Sequence, residues 1–102
     1  MIIKEGAKLS SLNLGQIAKM VVDLERQILS IGCELHIDCA EELIEDGSGS
    51  KNLWGANIYP KDKKIDFISL INIRPADNNR GMAIENKEIR DKVENIINTL
   101  LL

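Results

Sequence analysis

Residues 17–38, IAKMVVDLERQILSIGCELHID, decide the fold, because they read either as an amphipathic helix or as a hairpin. Ile17, Met20, Val21, Leu24 and Ile28 recur at helical spacing. Met20, Val22 and Leu24 also alternate with Lys19, Val21 and Asp23, which is the period of a strand, and DLER then stands as a turn. Periodicity over this first half leans slightly toward the helix. The second half is plainer. Leu29, Ile31, Cys33, Leu35 and Ile37 alternate with Ser30, Gly32, Glu34 and His36, predicting a strand over residues 27–37 with the first set on its core face.

Outward from this stretch, Asp38 is an acidic N-cap candidate with Glu41 three residues on, and Ala40, Leu43 and Ile44 form a short apolar stripe. Gly47 stands where a helix-ending glycine belongs, so residues 39–46 read as a short helix. Residues 53–59 (LWGANIY) and 65–74 (IDFISLINIR) read as strands ended by Pro60 and Pro75, with PKDKK as the loop between them. Placing Trp54, Ala56 and Ile58 on one face with Ile65, Phe67, Ile71 and Ile73 gathers the large apolar groups and leaves Asn57, Asn72 and Arg74 opposite. Ile89, Val93, Ile96, Ile97 and Leu100 keep helical spacing, Asn86 is a plausible N-cap and Glu88 can pair with Lys92, so residues 87–100 read as a helix.

A chain of 102 residues is one domain with room for one modest core. The composition, 44% hydrophobic and 28% charged, belongs to a folded protein, and 3% aromatics makes that core aliphatic. A net charge of −3, with no basic cluster beyond Lys61–Lys64, disfavours nucleic acid, whose binding draws on many phosphate contacts. There is no apolar run of the roughly 20 residues a bilayer requires and no visible secretory signal. The expectation is a cytoplasmic protein in which Cys33 and Cys39 are reduced and mostly buried.

The segments GCELHID, EDGS, LWGANIYP, SLINIRP and NNR, in this order, resemble an uncharacterised family of small bacterial and archaeal proteins that reads GELHAD, EDGS, DLWG-N-YP and INIRP in the same places. The resemblance runs from about Met20 to the end and implies no activity. It does imply a glycine where this chain has Gln27, which suits a hairpin turn, although Gln27 and Cys33 depart from the pattern. The predicted fold is therefore α+β: a helix near residues 9–17, an antiparallel sheet of about four strands in two hairpins, a short central helix and a C-terminal helix.

Glu34, His36 and Asp38 stand at i, i+2 and i+4, on one face if residues 27–37 are a strand. Such neighbours lie roughly 7 Å apart and the ends roughly 13 Å, so only two of them share one ion, and Asp38 competes as a helix cap. No second histidine or free cysteine completes a zinc set, and neither a metal nor a cofactor is expected. The Gly47–Ser50 loop lacks the ending of a phosphate-binding loop. His36 suits proton transfer, but Cys33 alternates to the other face and Ser30 lies too far along the strand, which leaves Ser69 or another distant residue as its nucleophile.

Asn57, Asn72 and Arg74, with Asn78, Asn79 and Arg80 beyond, form the other constellation, since a guanidinium fork suits carboxylate or phosphate. Beside Glu34 and His36 they would make a site for a small anionic ligand, formed by Glu34, His36, Asn57, Asn72, Arg74 and Arg80, with His36 and Arg74 within one side-chain reach. The plainer alternative is structural: asparagines in turns and Arg74 paired with Glu34 or Asp66. Ile68 and Leu70 share the polar face with Tyr59, helices are too few to cover both sheet faces, and Leu100–Leu102 is apolar for a terminus, all of which points to a homo-oligomer. The sequence thus reads as a binding or interaction module of unknown function. Its rival is a small hydrolase or metal-dependent enzyme using His36 with Glu34 or Asp38.

Overall fold

Asp23 turns the decisive stretch into a hairpin. Its Oδ1 accepts the N–H groups of Glu25 and Arg26 at 2.9 and 3.0 Å, closing a tight loop that Gln27 completes at φ 56°, a conformation glycine adopts freely. The computed structural model describes all residues, Met1–Leu102. Strands β1 (Ile2–Ile3), β2 (Ala18–Asp23), β3 (Ile28–Cys33), β4 (Leu53–Tyr59) and β5 (Lys64–Asp66) form one sheet in the order β1-β3-β2-β4-β5. Every pairing is antiparallel. With helices α1 (His36–Glu45) and α2 (Lys87–Leu101), this is the expected α+β class with one strand more. Residues 9–17 hold only a 3-10 turn, Leu9–Leu12, which Asn13 ends in the left-handed region.

Cross-strand partners share a face, so the register sorts the core. Met20 faces Ile31 and Ala56, and Val22 faces Leu29 and Trp54. With Ile58 these side chains meet Val93, Ile97 and Leu100 of α2, whose first turn is capped by the Asn86 side chain accepting from the Ile89 N–H at 3.0 Å. Val21, Ile28 and Leu53 meet Cys39, Ala40 and Leu43 of α1 in a second cluster on the opposite face. Both faces are therefore covered, against the expectation of a bare one. Of the apolar terminus, Leu100 and Leu101 at the end of α2 are buried against the sheet, and only Leu102 is exposed.

Strand β3 ends four residues earlier than its alternation suggests. Between Lys19 and Met20 the pairing with β3 shifts by one residue, and Gly32 absorbs the bulge at φ 87°. The extra residue carries Cys33 from the α2 face to the α1 face, opposite Lys19. There Cys33 forms a disulfide with Cys39, correcting the expected pair of free thiols. Closing so short a loop is worth roughly 2 kcal/mol on a chain-entropy account. Helix α1 starts at His36 rather than residue 39, and the Asp38 carboxylate accepts the Leu35 N–H at 3.2 Å. Asp38 is thus the third helical residue, reaching back to the cap, and not the cap itself.

The predicted strand 65–74 stops at Asp66. Ile65 and Phe67 join the α2-side core as expected, but Ile71 packs on the α1 side and Ile73 is exposed. Residues 67–84 instead fold back over β4 through two 3-10 turns, Leu70–Asn72 and Pro75–Asp77. They close on themselves where Ile68 bridges Ala83. They lie so close that a Cβ on Gly55 would stand 2.4 Å from the Cβ of Ser69. Gly55→Ala is expected to cost about 1–3 kcal/mol through overpacking, read as a lower denaturation midpoint with an unchanged m-value.

The far end of α1 is held by charge. The Asp46 carboxylate takes Lys4 Nζ at 2.9 Å and Arg26 Nη2 at 2.7 Å, tying the helix to β1 and to the β2–β3 turn. Hydrogen bonds from Lys4 and then Arg26 hold its pKa below the ordinary 3.8, with burial opposing them. A depressed carboxylate stabilises the fold above its unfolded pKa and loses that contribution as pH falls through the folded value. Wild-type melting temperature should therefore drop below pH 3.8. Asp46→Asn should melt lower at neutrality and lose less on acidification, as thermal scans from neutrality to about pH 3 will read.

Candidate functional site

Asn72 is fully buried in the segment over β4, and its amide does the work of a missing strand. Strand β5 pairs only with Asn57–Tyr59, which leaves the outer edge of β4 bare at Gly55. Asn72 Oδ1 accepts the Gly55 N–H at 2.8 Å, and its Nδ2 donates to the Gly55 carbonyl at 3.0 Å and that of Met82 at 3.1 Å. Asn79 is spent likewise, donating to the carbonyls of Asn72, Gly81 and Ala83 and accepting the Glu85 N–H. Asn57 donates to Asp66 Oδ1 at 2.7 Å and the Ile68 carbonyl at 2.9 Å, while its buried Oδ1 has no partner. Asn78 sits at a left-handed turn, φ 60°.

Arg74 is a clamp. Its guanidinium donates to the carbonyls of Lys51, Ser50, Leu53 and Ile71 and lies 4.3 Å from the centroid of the Trp54 ring. Burial lowers its pKa, and the charge of Asp77 opposes that shift. Arg80 is exposed, with no hydrogen bond or ion pair. Of the six residues expected to surround an anion, Asn57 and Asn72 face the interior and Arg74 has spent its fork on carbonyls.

His36 meets β4 at a different point. As the first residue of α1 it reaches the Ala56 carbonyl at 3.0 Å, whereas Arg74 holds that of Leu53, roughly 10 Å back along the strand. The expected His36–Arg74 contact is not formed. Because a carbonyl only accepts, His36 carries its proton on Nε2 and keeps Nδ1 free when neutral. Glu34 and Asp38 are both exposed and do not converge on the ring, since the helix starts between them. No group of three or more acidic, histidine or cysteine side chains is gathered for a metal.

What surrounds His36 is apolar. A groove of about 350 Å³ runs between the start of α1 and the segment over β4, walled by Leu35, Ile37, Ile68, Leu70 and Met82, with Lys19 and Ser69 also lining it. Ile71 lines it as well and is partly buried, whereas the other five apolar side chains are among the exposed large hydrophobics, and Leu70 projects with 73% of its surface accessible. Lys19 Nζ is engaged, donating to the Glu34 carbonyl at 2.9 Å. A larger hollow of about 460 Å³ lies between the β2–β3 turn and α2, but Lys92 is its one charged side chain and none of the exposed large hydrophobics line it. Leu35 and Ile37 escaped sequence reasoning because unbroken alternation assigns them to the core. Ile68 and Leu70 were legible as apolar residues on a polar face, and Met82 gave no signal.

A family model described as "Protein of unknown function (DUF5674)" matches residues 2–100. The chain belongs to this family. The DUF5674 assignment agrees with the expected kinship to a family without a described activity. Comparisons with curated proteins and with solved structures give no match. In this DUF5674 chain no helix is long and apolar enough to cross a membrane.

If Arg74 is a clamp, Arg74→Lys removes a planar fork that one ammonium cannot replace. It should lower stability by about 1–3 kcal/mol in chemical denaturation, and a thermal-shift screen with phosphate and carboxylates should give the same null result for both proteins.

Proposed function

We propose that this chain is an interaction module that pairs with a second copy of itself through the apolar groove beside His36. The observation that carries this reading is the concentration of five exposed large apolar side chains around one concavity. Monomeric proteins seldom leave such a patch open to water. The patch holds a projection, Leu70, beside a hollow, and an isologous contact requires both features on the same surface. Sheet-edge pairing is a poorer route: β1 has two residues, β5 has three and begins at Lys64 beside Lys63, and the bare edge of β4 is occupied by Asn72.

Completing the burial of each half-exposed Leu, Ile or Met contributes about 1 kcal/mol. Association costs several kcal/mol of rigid-body freedom, so the pair should be weak and concentration-dependent. An anionic ligand is less well supported, because the arginine fork is consumed by carbonyls and Lys19 by Glu34. The enzyme reading suffers from the helix start, which leaves His36 without a carboxylate partner and binds Asp38 to the Leu35 N–H. A cytoplasmic setting belongs to the same proposal only with a Cys33–Cys39 bridge that is made and broken, because persistent disulfides are rare in that compartment.

Light scattering across a concentration series tests it. The wild type should rise from the mass of one chain toward two. Leu70→Asp should weaken the pair at least tenfold while shifting stability by no more than about 0.5 kcal/mol, because Leu70 is solvent-exposed in the single chain. A wild type that keeps the mass of one chain throughout, or a variant that associates equally well, ends the proposal.

A further inference from the structure

The two sulfurs of the disulfide stand in unlike places. Cys39 is fully buried in the first turn of α1, whereas Cys33 is only half-buried at the end of β3. A hollow of about 320 Å³, lined among others by Leu14, Ile17, Lys19 and Glu34, borders the chain at residues 32–34. Cys33 is thus the more accessible partner of the bridge, and Cys39 is closed to solvent. Thiol–disulfide exchange needs this asymmetry, because a nucleophile must reach one sulfur in line while the other departs.

The surroundings of Cys33 also suit a thiol. Ser30 Oγ lies 3.8 Å from its Sγ and donates its own proton to Glu42 Oε1 at 3.1 Å. Ser30 Oγ also accepts from the Met1 amino group at 3.3 Å, which leaves it one lone pair for an S–H that exists only in the reduced state. Reduction leaves no polar atom stranded there.

Residues 34–38 lie inside the loop that the bridge closes, and among them Leu35, His36 and Ile37 form one wall of the apolar groove. Beyond the bridge, few bonds tie this wall to the sheet: Lys19 to the Glu34 carbonyl and His36 to that of Ala56. The opposite wall is held by Asn72, Asn79 and the Ile68–Ala83 bridge, none of which depends on the cysteines.

We propose that Cys33–Cys39 is a thiol–disulfide exchange site whose reduction loosens the α1 wall of the groove. The co-reactant is a dithiol, either a small molecule or a protein. Its thiolate attacks Cys33 Sγ, forming a mixed disulfide and breaking the Cys33–Cys39 bond, and Cys39 leaves as a thiolate that takes up a proton. The second thiol of the dithiol then attacks the mixed disulfide and releases Cys33. The protein disulfide gains two electrons, and the dithiol becomes a disulfide. The consequence for association rests on the groove being the pairing surface, but the exchange chemistry does not.

Oxidised full-length protein, incubated in native buffer with dithiothreitol and quenched with an alkylating agent, provides the test. Mass spectrometry should find both cysteines alkylated while the far-UV circular dichroism is unchanged. Amide hydrogen exchange over residues 34–38 should accelerate at least tenfold, with β2 and β4 unaffected, and the double variant Cys33→Ser/Cys39→Ser should reproduce the reduced pattern. A bridge that reacts only after denaturant is added, or a reduced protein whose residues 34–38 exchange as slowly as before, overturns the proposal whether or not the variant folds. If residues 34–38 loosen but light scattering finds a single chain in both redox states, the exchange site stands and the pairing reading falls.

Discussion

The peptide group of Gly55 is the constraint on which the site depends. Strand β4 is an interior strand of the sheet, yet before Asn57 no strand lies along its outer edge, so a buried N–H and C=O would be stranded there. The side chain of Asn72 meets both, as a neighbouring strand would. An amide carries one donor group and one acceptor on the same planar unit, so it can stand in for a peptide. Gly55 must also lack a Cβ, because Ser69 occupies the space where one would go. Residues 67–84 are thereby fastened to the sheet, and one wall of the groove with them.

The other wall depends on Gly32. Its bulge reverses the facing of everything after it, which brings Cys33 under α1 and turns Leu35 and Ile37 out of the core. The helix then begins early, its first residue His36 reaches over β4, and the disulfide closes around the turn. The apolar groove exists because these two local departures from regular strand geometry occur on neighbouring parts of one face. Neither departure arises from hydrophobic pattern. Both arise from where a backbone group must find a partner or adopt a positive φ.

Elements held by local pattern were legible. Helix α2 carries its own stripe and its own cap, and strand β4 lies between clear punctuation, so both are found where periodicity puts them. The hairpin was the harder decision, since a run buried on both faces of a sheet loses strict alternation. Met20, Val21 and Val22 are all buried, two under α2 and one under α1. The stretch 67–74 reads as strand because Ile68, Leu70 and Ile73 look like strand residues, whereas the bonds that divert it run from the Asn72 and Asn79 side chains to the backbone of Gly55, Met82 and Asn72.

By itself the order and spacing of apolar residues determined the C-terminal helix, the strand over residues 53–59 and the aliphatic core, whereas the first hairpin, and with it the full antiparallel sheet, rested on the family resemblance at Gln27. Tertiary structure alone decided the disulfide, the start of α1, the fate of Arg74 and the groove beside His36. Arg74 has the chemistry of an anion fork in any sequence, and only the carbonyls of Ser50, Lys51 and Leu53 converging on it make it a clamp. A residue type states which bonds are available to a side chain. The fold states which of them are already spent, since that depends on groups brought within about 3 Å from distant parts of the chain.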